Sequence, residues 1–377
     1  MKQKSIILTV ILFSGFVLFV ALLTERYFKL STIEIREKTL KKETFRRQKI
    51  DRKLIKIALN DGYFPVVYPA GYRANFFLKL VDDLPPLGGN PNTNHYYGNE
   101  GYGLIKYKSD RFGLRNDDKI WDNFNIHKNK VLLVGGSAAH GCCVEKKDSL
   151  AGNINGNVFN VALGGNDPHI INSSVNVFTN YVKPKTLVVV IFGNNFGSNK
   201  KKDLFDNIVS EKGYICGNKP CEKIVQTSIN AHELLISVQE DFSKGRSFLS
   251  RSIEYLKIKH LAKRIKYIKR SYFSNDLTVI LQKLALNSKE KCESANCNLL
   301  FVHIPNSETY RPNILSKLNR ESLFDFLKDN EIQYIDINKY FEDLNRDELH
   351  ADQGPHLSPK GYKLVADKIN QYIQTMN

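Results

Sequence analysis

The sequence predicts a three-layer α/β/α domain built on a five-stranded, mainly parallel, doubly wound sheet. Three observations carry that prediction. First, five short, branched apolar runs appear from about Lys128 onward: Val131–Val134, Val158–Val161, Leu187–Phe192, Leu299–Ile304 and Gln333–Ile337. Second, each run is bounded by turn-forming residues, and uninterrupted apolar runs of this length suit strands buried on both faces. Third, the spacers between them are long enough for crossover helices, as parallel strands require. The spacer from Phe192 to Leu299 is far too long for one crossover. It predicts a largely helical insertion at about 198–290.

Upstream of this domain the character of the chain changes. After a four-residue tail, Ser5–Leu23 (SIILTVILFSGFVLFVALL) contains no charged residue. As a helix it would span ~28 Å at ~1.5 Å per residue, enough for a bilayer core. A single-pass membrane anchor is the expectation, because no small-x-small cleavage site follows as it would in a signal peptide. Residues 24–104 form a connection: 31–58 alternate charge with Ile, Leu and Phe and predict a basic helix, and 62–103 are rich in Gly, Pro, Asn and aromatic residues. The sheet domain is expected over 105–377.

Charge is distributed in the same uneven way. The chain of 377 residues carries 55 Lys+Arg against 39 Asp+Glu, a net of +16. Residues 24–60 contribute +7 (twelve basic, five acidic) and residues 244–272 contribute +9 (ten basic, with Glu254 alone opposing), so the remainder is formally neutral. A nucleic-acid partner is not expected, since no recognition motif accompanies either cluster. Both segments suit contact with anionic lipid headgroups or an acidic glycan, or a plain solvated helix.

The cysteines bear on which side of the membrane the domain lies. Cys216/Cys221 and Cys292/Cys297 are two close pairs around turn-forming residues, suited to short-loop disulfides in an oxidising compartment. Free thiols, or one four-cysteine zinc site, are the alternatives. Cys142 and Cys143 are adjacent and not expected to bridge to each other. The basic residues after the span weakly favour a cytoplasmic domain, but long domains translocate regardless of flanking charge. An extracytoplasmic domain is the expectation.

Ligands of an open parallel sheet bind beyond the carboxyl ends of its strands, so the residues that follow each run are the candidates for chemistry. The first run leads into Gly135-Gly136-Ser137-Ala138-Ala139-His140-Gly141, the second into Asn160 through Asn166, and the third into Gly193-Asn194-Asn195. Near the C-terminus stands Asp352-Gln353-Gly354-Pro355-His356-Leu357-Ser358-Pro359-Lys360-Gly361. A serine becomes a nucleophile when a histidine takes its proton. The resulting oxyanion needs preorganised N–H donors. His303, His140 and Asp336 have ordinary structural explanations, and the lone Trp121 one of packing.

These blocks resemble those of the SGNH/GDSL hydrolases over about 105–377, apart from the insertion. Gly135-Gly136-Ser137 with Gly141 matches the family's first block, with Gly136 where the family has aspartate. Asn160 and Gly165 match the second. Gly193-Asn194-Asn195 matches the third, with Phe196 in place of aspartate. His356-Leu357-Ser358-Pro359-Lys360-Gly361 fits the last, but Asp352 stands four residues before the histidine instead of three. Ser109–Arg115 (SDRFGLR) resembles an element found upstream of the first strand in membrane-anchored members.

The resemblance implies Ser137 as nucleophile, His356 as general base and then acid, and Asp352 as its orienting group. A Ser–His dyad held by a backbone carbonyl is the alternative, and Asp347-Glu348-Leu349-His350 offers a rival register. It implies an oxyanion hole of the Ser137 and Gly165 N–H groups and the Asn195 amide. The implied activity is ester hydrolysis or acyl transfer without cofactor or metal, on an O-acylated envelope glycan. The alternative is an inactive module of the same fold that binds carbohydrate or a protein partner.

Overall fold

The computed structural model describes residues 20–23, 53–66, 85–122, 124–193, 213–243, 276–305, 314–341 and 344–376. The chain divides into two compact units, one of Met1–Lys53 with Val238–Ser274 and one of Leu54–Ser237 with Asn275–Asn377. The first lies almost wholly outside the described residues. So do most of the expected membrane span, all of the 244–272 basic cluster, and most of the 31–58 helix, whose last turns fall in a helical segment at 53–60. No helix among the described residues is long and apolar enough to cross a membrane.

Among the described residues the second unit contains ten strands. A small sheet joins β1 (Phe64–Pro65), β2 (Asn94–Tyr97) and β3 (Ile105–Lys108), and a two-stranded ribbon joins β7 (Ile215–Cys216) to β8 (Lys219–Pro220). The main sheet contains β4 (Lys130–Gly135), β5 (Asn157–Asn160), β6 (Thr186–Phe192), β9 (Asn298–Ile304) and β10 (Gln333–Asp336). Its order is β10-β9-β6-β4-β5, and every pairing is parallel. From β4 the chain moves outward to β5 and then returns to β6 on the other side of β4. The topological switch point therefore lies between the carboxyl ends of β4 and β6, where a ligand crevice opens in such a sheet.

Strand periodicity divides the core between the two faces of this sheet. Leu132 and Val134, with Leu187, Val189 and Ile191, pack on one side. Val131, Leu133, Val188, Val190 and Phe192 pack on the other. The first side is covered by helices Pro168–Val182, Asp276–Ala295 and Ile314–Asp329, and the second mainly by helix Pro359–Thr375. Helix Pro168–Val182 has clear local causes. Asp167 caps it by accepting from the His169 and Ile170 N–H groups, Pro168 opens it, and Ile170, Ile171, Val175, Phe178 and Val182 bury one stripe. Each such side chain contributes about 1.5–3 kcal/mol through burial.

Two expected boundaries move. The unit begins at Leu54 rather than 105, because β2 and β3 pair as an antiparallel hairpin across residue 105. The insertion ends before Asp276 rather than near 290, because helix Asp276–Ala295 is itself a layer of the domain. Its Leu281, Leu284, Ala285 and Cys292 are buried in the sheet's core.

Candidate active site

Ser137 follows β4 after Gly136 alone and opens the short helix Ser137–His140 at the switch point. The turn out of that helix depends on Gly141, which has φ +80°, and a Cβ there would sit 2.4 Å from the Ser149 Cβ. No other residue meets both requirements. The glycine four residues after the serine therefore fixes the loop behind Ser137.

His356 arrives from the other end of the chain. Leu357 is fully buried, and Ser358 caps helix Pro359–Thr375 by accepting from the Gly361 N–H at 3.1 Å. Backbone bonds Ala351 N–H to His356 O and Ser358 N–H to Leu349 O tie the preceding loop to this cap. The imidazole stacks on Phe192 at the end of β6, with centroids 5.2 Å apart and planes 12° from parallel. The Leu-Ser-Pro-Lys-Gly pattern thus anchors the histidine and starts the helix.

Ser137 Oγ and His356 Nε2 are 2.7 Å apart. Across the ring, Nδ1 is 2.8 Å from Glu100 Oε1, and the His356 backbone N–H donates to Glu100 Oε2 at 3.2 Å. This arrangement sets the tautomer. Nδ1–H donates to the carboxylate, and Nε2 presents its lone pair to the serine hydroxyl.

The carboxylate on His356 Nδ1 is therefore that of Glu100, where Asp352 was expected. The Nδ1 of His356 is taken by Glu100, while Asp352 is exposed beside Gly101. The rival register fails as well. His350 bridges to Leu357 in the backbone and its ring packs edge-on against Phe341, while Glu348 pairs with Lys360 at the surface.

Glu100 sits in the loop between β2 and β3, inside the stretch expected to be a mere connection. Asn99 Oδ1 accepts from the N–H groups of Gly101 and Gly103, at 3.0 Å each, and shapes that loop. Gln353 N–H donates to the Glu100 carbonyl at 3.3 Å, joining it to the loop before His356. One sequence signal was available: Glu100 is the sole acidic residue between Asp83 and Asp110.

Gly354 makes room for the carboxylate. A Cβ on Gly354 would lie 1.8 Å from Glu100 Cδ, so Gly354→Ala must push Glu100 off His356. A misplacement of about 1 Å costs about 100-fold in rate. Gly354→Ala is expected to lower kcat by that order with little change in KM, measured together with the melting temperature to exclude unfolding.

Of the expected oxyanion donors, Gly165 lies in an exposed turn beyond β5 with φ +76°. The Ser137 N–H stands at the first position of its helix, where no intrahelical acceptor exists. Asn195 lies outside the described residues. Asn160 ties the first two blocks together, donating from Nδ2 to the Ala139 carbonyl at 3.0 Å.

The Ser109–Arg115 element braces this assembly. Asp110 is fully buried and accepts from the N–H groups of Phe112 and Leu114, from Asn116 Nδ2 and from Trp121 Nε1, all within 2.8–2.9 Å. Trp121 is thus both packed and hydrogen-bonded. Asn116 continues to the Asn160 backbone, at 3.0 Å in both directions. Arg115 donates to the carbonyls of Gly141 and Val144, at 2.7 and 2.8 Å.

His140 is enclosed between Tyr97 and Tyr107, and neither of its ring nitrogens has a hydrogen-bond partner. Burial, and then the Arg115 charge, hold it well below the usual histidine range, so it is neutral. Asp336 caps the segment after β10 through the Asn338 N–H and accepts from His303 Nδ1 at 3.0 Å. Cys216–Cys221 and Cys292–Cys297 are disulfides. Cys142 and Cys143 are also joined, contrary to expectation, the turn carrying Cys143 through φ +69°.

No family model matches the chain, and no curated protein matches it. Solved structures do. The chain is similar to SGNH/GDSL hydrolases of known structure. One is a protein from Desulfitobacterium hafniense assigned as lipolytic and of the G-D-S-L family, at 16% identity and TM-score 0.35, covering 65% of this chain and 99% of that one. Another is the lipase/acylhydrolase from Enterococcus faecalis, at 14% identity and TM-score 0.37, covering 66% and 97%. A third is a catalytic mutant of an acetylxylan esterase from Geobacillus stearothermophilus, at 10% identity and TM-score 0.37, covering 66% and 94%.

Proposed function

We propose that this chain is a serine ester hydrolase of the SGNH type. The observation that carries the reading is the unbroken line from Ser137 Oγ through His356 to Glu100. In this reading Ser137 Oγ attacks the ester carbonyl while His356 Nε2 takes its proton. The imidazolium is stabilised by Glu100, and the same proton then goes to the departing alcohol. The N–H groups of Ser137 and Gly165, with the Asn195 amide, receive the oxyanion. Water completes hydrolysis, or a sugar hydroxyl completes transfer, by attacking the acyl-serine through the same base.

The proposed setting is a membrane surface, with Ser5–Leu23 as anchor and an O-acylated envelope glycan as substrate. The uncharged N-terminal run and the two basic clusters support that placement. The Cys216–Cys221 and Cys292–Cys297 bridges support an oxidising compartment outside the cytoplasm. An inactive module would have no need of a histidine held on both nitrogens.

The test is hydrolysis of p-nitrophenyl acetate by the full chain beside Ser137→Ala and His356→Ala. Turnover in the parent and its loss in both variants is expected; equal rates in all three would sink the enzyme reading. Acetate release from an O-acetylated glycan tests the substrate class.

A further inference from the structure

Four side chains with metal-binding atoms meet at the triad. One ligand atom from each of Glu100, Cys142, Cys143 and His356 lies within 4.8 Å of the others. The sulfurs are joined to each other, and a disulfide sulfur is a poor ligand because the thiolate is the form that binds metal. We propose that the Cys142–Cys143 disulfide covers a latent site for a zinc-like divalent cation, and that reducing it converts the protein into a metal-held, inactive form.

Two thiolates, an imidazole and a carboxylate are a donor set that zinc accepts in a tetrahedron, at about 2.0–2.3 Å from each ligand. Ligand atoms in such a tetrahedron are about 3.3–3.8 Å apart, so the cluster needs to contract by about 1 Å. The backbone around it is pinned, which keeps the freed thiols in place. Arg115 holds the carbonyls on either side of the pair, Gly141 and Val144. The Tyr362 hydroxyl donates to the Cys142 carbonyl at 3.2 Å, and the Cys142 N–H donates to the Ser137 carbonyl at 2.9 Å. Cys143 Sγ lies under the loop that presents Glu100, 3.8 Å from where a Cβ on Gly98 would stand.

The redox step balances with a phosphine as reductant. The S–S bond breaks, the two sulfurs gain two electrons and two protons, and the phosphine leaves as its oxide with oxygen from water. Metal binding then releases the two thiol protons. A cation held by His356 and Glu100 takes both from the proton path of Ser137.

The experiment compares full-length chain, oxidised and phosphine-reduced, with the phosphine removed under anaerobic conditions before titration with Co²⁺. One Co²⁺ per chain with a thiolate-to-cobalt charge-transfer band is expected in the reduced form alone, displaced by Zn²⁺ and weakened in His356→Ala. Reduced Cys142→Ser/Cys143→Ser, which keeps the other four cysteines, must lack this band, and Cys142→Ala alone must weaken it should the double variant misfold. Ester hydrolysis by the reduced chain is expected to be lost on adding equimolar Zn²⁺ and regained on chelation. The loss of turnover rests on the proposed hydrolase function, whereas the cobalt band does not, so the two ideas fail separately. A reduced chain with no band beyond that of the double variant, or one that binds cobalt with full turnover, overturns the proposal.

Discussion

Glu100→Gln is expected to lower kcat on a small acyl ester by about 10³–10⁴-fold, with KM little changed, whereas Asp352→Asn changes kcat by less than about threefold. The contrast follows from what each carboxylate touches. Glu100 accepts from His356 at both Nδ1 and the backbone N–H. A glutamine amide presents one oxygen and one NH₂ to these two donors, so one bond becomes a donor–donor clash. The ring then turns, or takes the tautomer with its proton on Nε2, which cannot accept from Ser137. The imidazolium formed in the transition state also loses its counter-charge. Asp352 is exposed and holds neither nitrogen. Ser137→Ala and His356→Ala set the floor, at about 10⁶-fold below the parent by analogy with other serine triads. Measuring kcat and KM for all four variants decides the matter. A large loss in Asp352→Asn with none in Glu100→Gln would restore the register that the sequence suggested.

The reason Glu100 escaped notice while Ser137 and His356 did not is one of distance along the chain. Ser137 and His356 carry their supports with them. Gly141 turns the chain four residues after the serine, and Ser358 and Gly361 start a helix within five residues of the histidine. Such local devices leave a spacing. Glu100 meets His356 across 256 residues, from a loop whose glycines and asparagines mark a turn but nothing of its destination. Asp352 was the nearest acid in the expected direction, but sequence proximity does not direct a side chain.

The three central strands, β4, β6 and β9, were legible because burial on both faces requires unbroken apolar runs. Helix Asp276–Ala295 was not, since the stripe it buries is narrow and interleaved with Lys, Glu and Asn. The Cys142–Cys143 bond depends on a left-handed backbone at Cys143, which no pattern in the sequence announces.

Asp110→Asn is expected to destabilise the domain by about 2–4 kcal/mol near pH 5. Asp110 receives four donors, two on each oxygen. An asparagine keeps one oxygen and turns an NH₂ toward the other pair, so two buried donors are left without acceptors at about 1–3 kcal/mol each. Charge works the other way. Burial pushes the Asp110 carboxyl up to about 6, although all four donors pull it down. The folded state therefore binds this proton more tightly than the unfolded chain, whose aspartates titrate near 3.8. The stability that this proton confers is fully present below about pH 4 and is lost as pH rises through about 6. Asparagine has no such slope. The gap between parent and variant should accordingly narrow from about pH 4 to about pH 8, with the unsatisfied donors keeping the variant the weaker. Urea unfolding midpoints of both proteins across that range test it. A gap that stays level from about pH 5 to about pH 8 would mean that Asp110 is held as a carboxylate throughout, and that its four donors outweigh its burial.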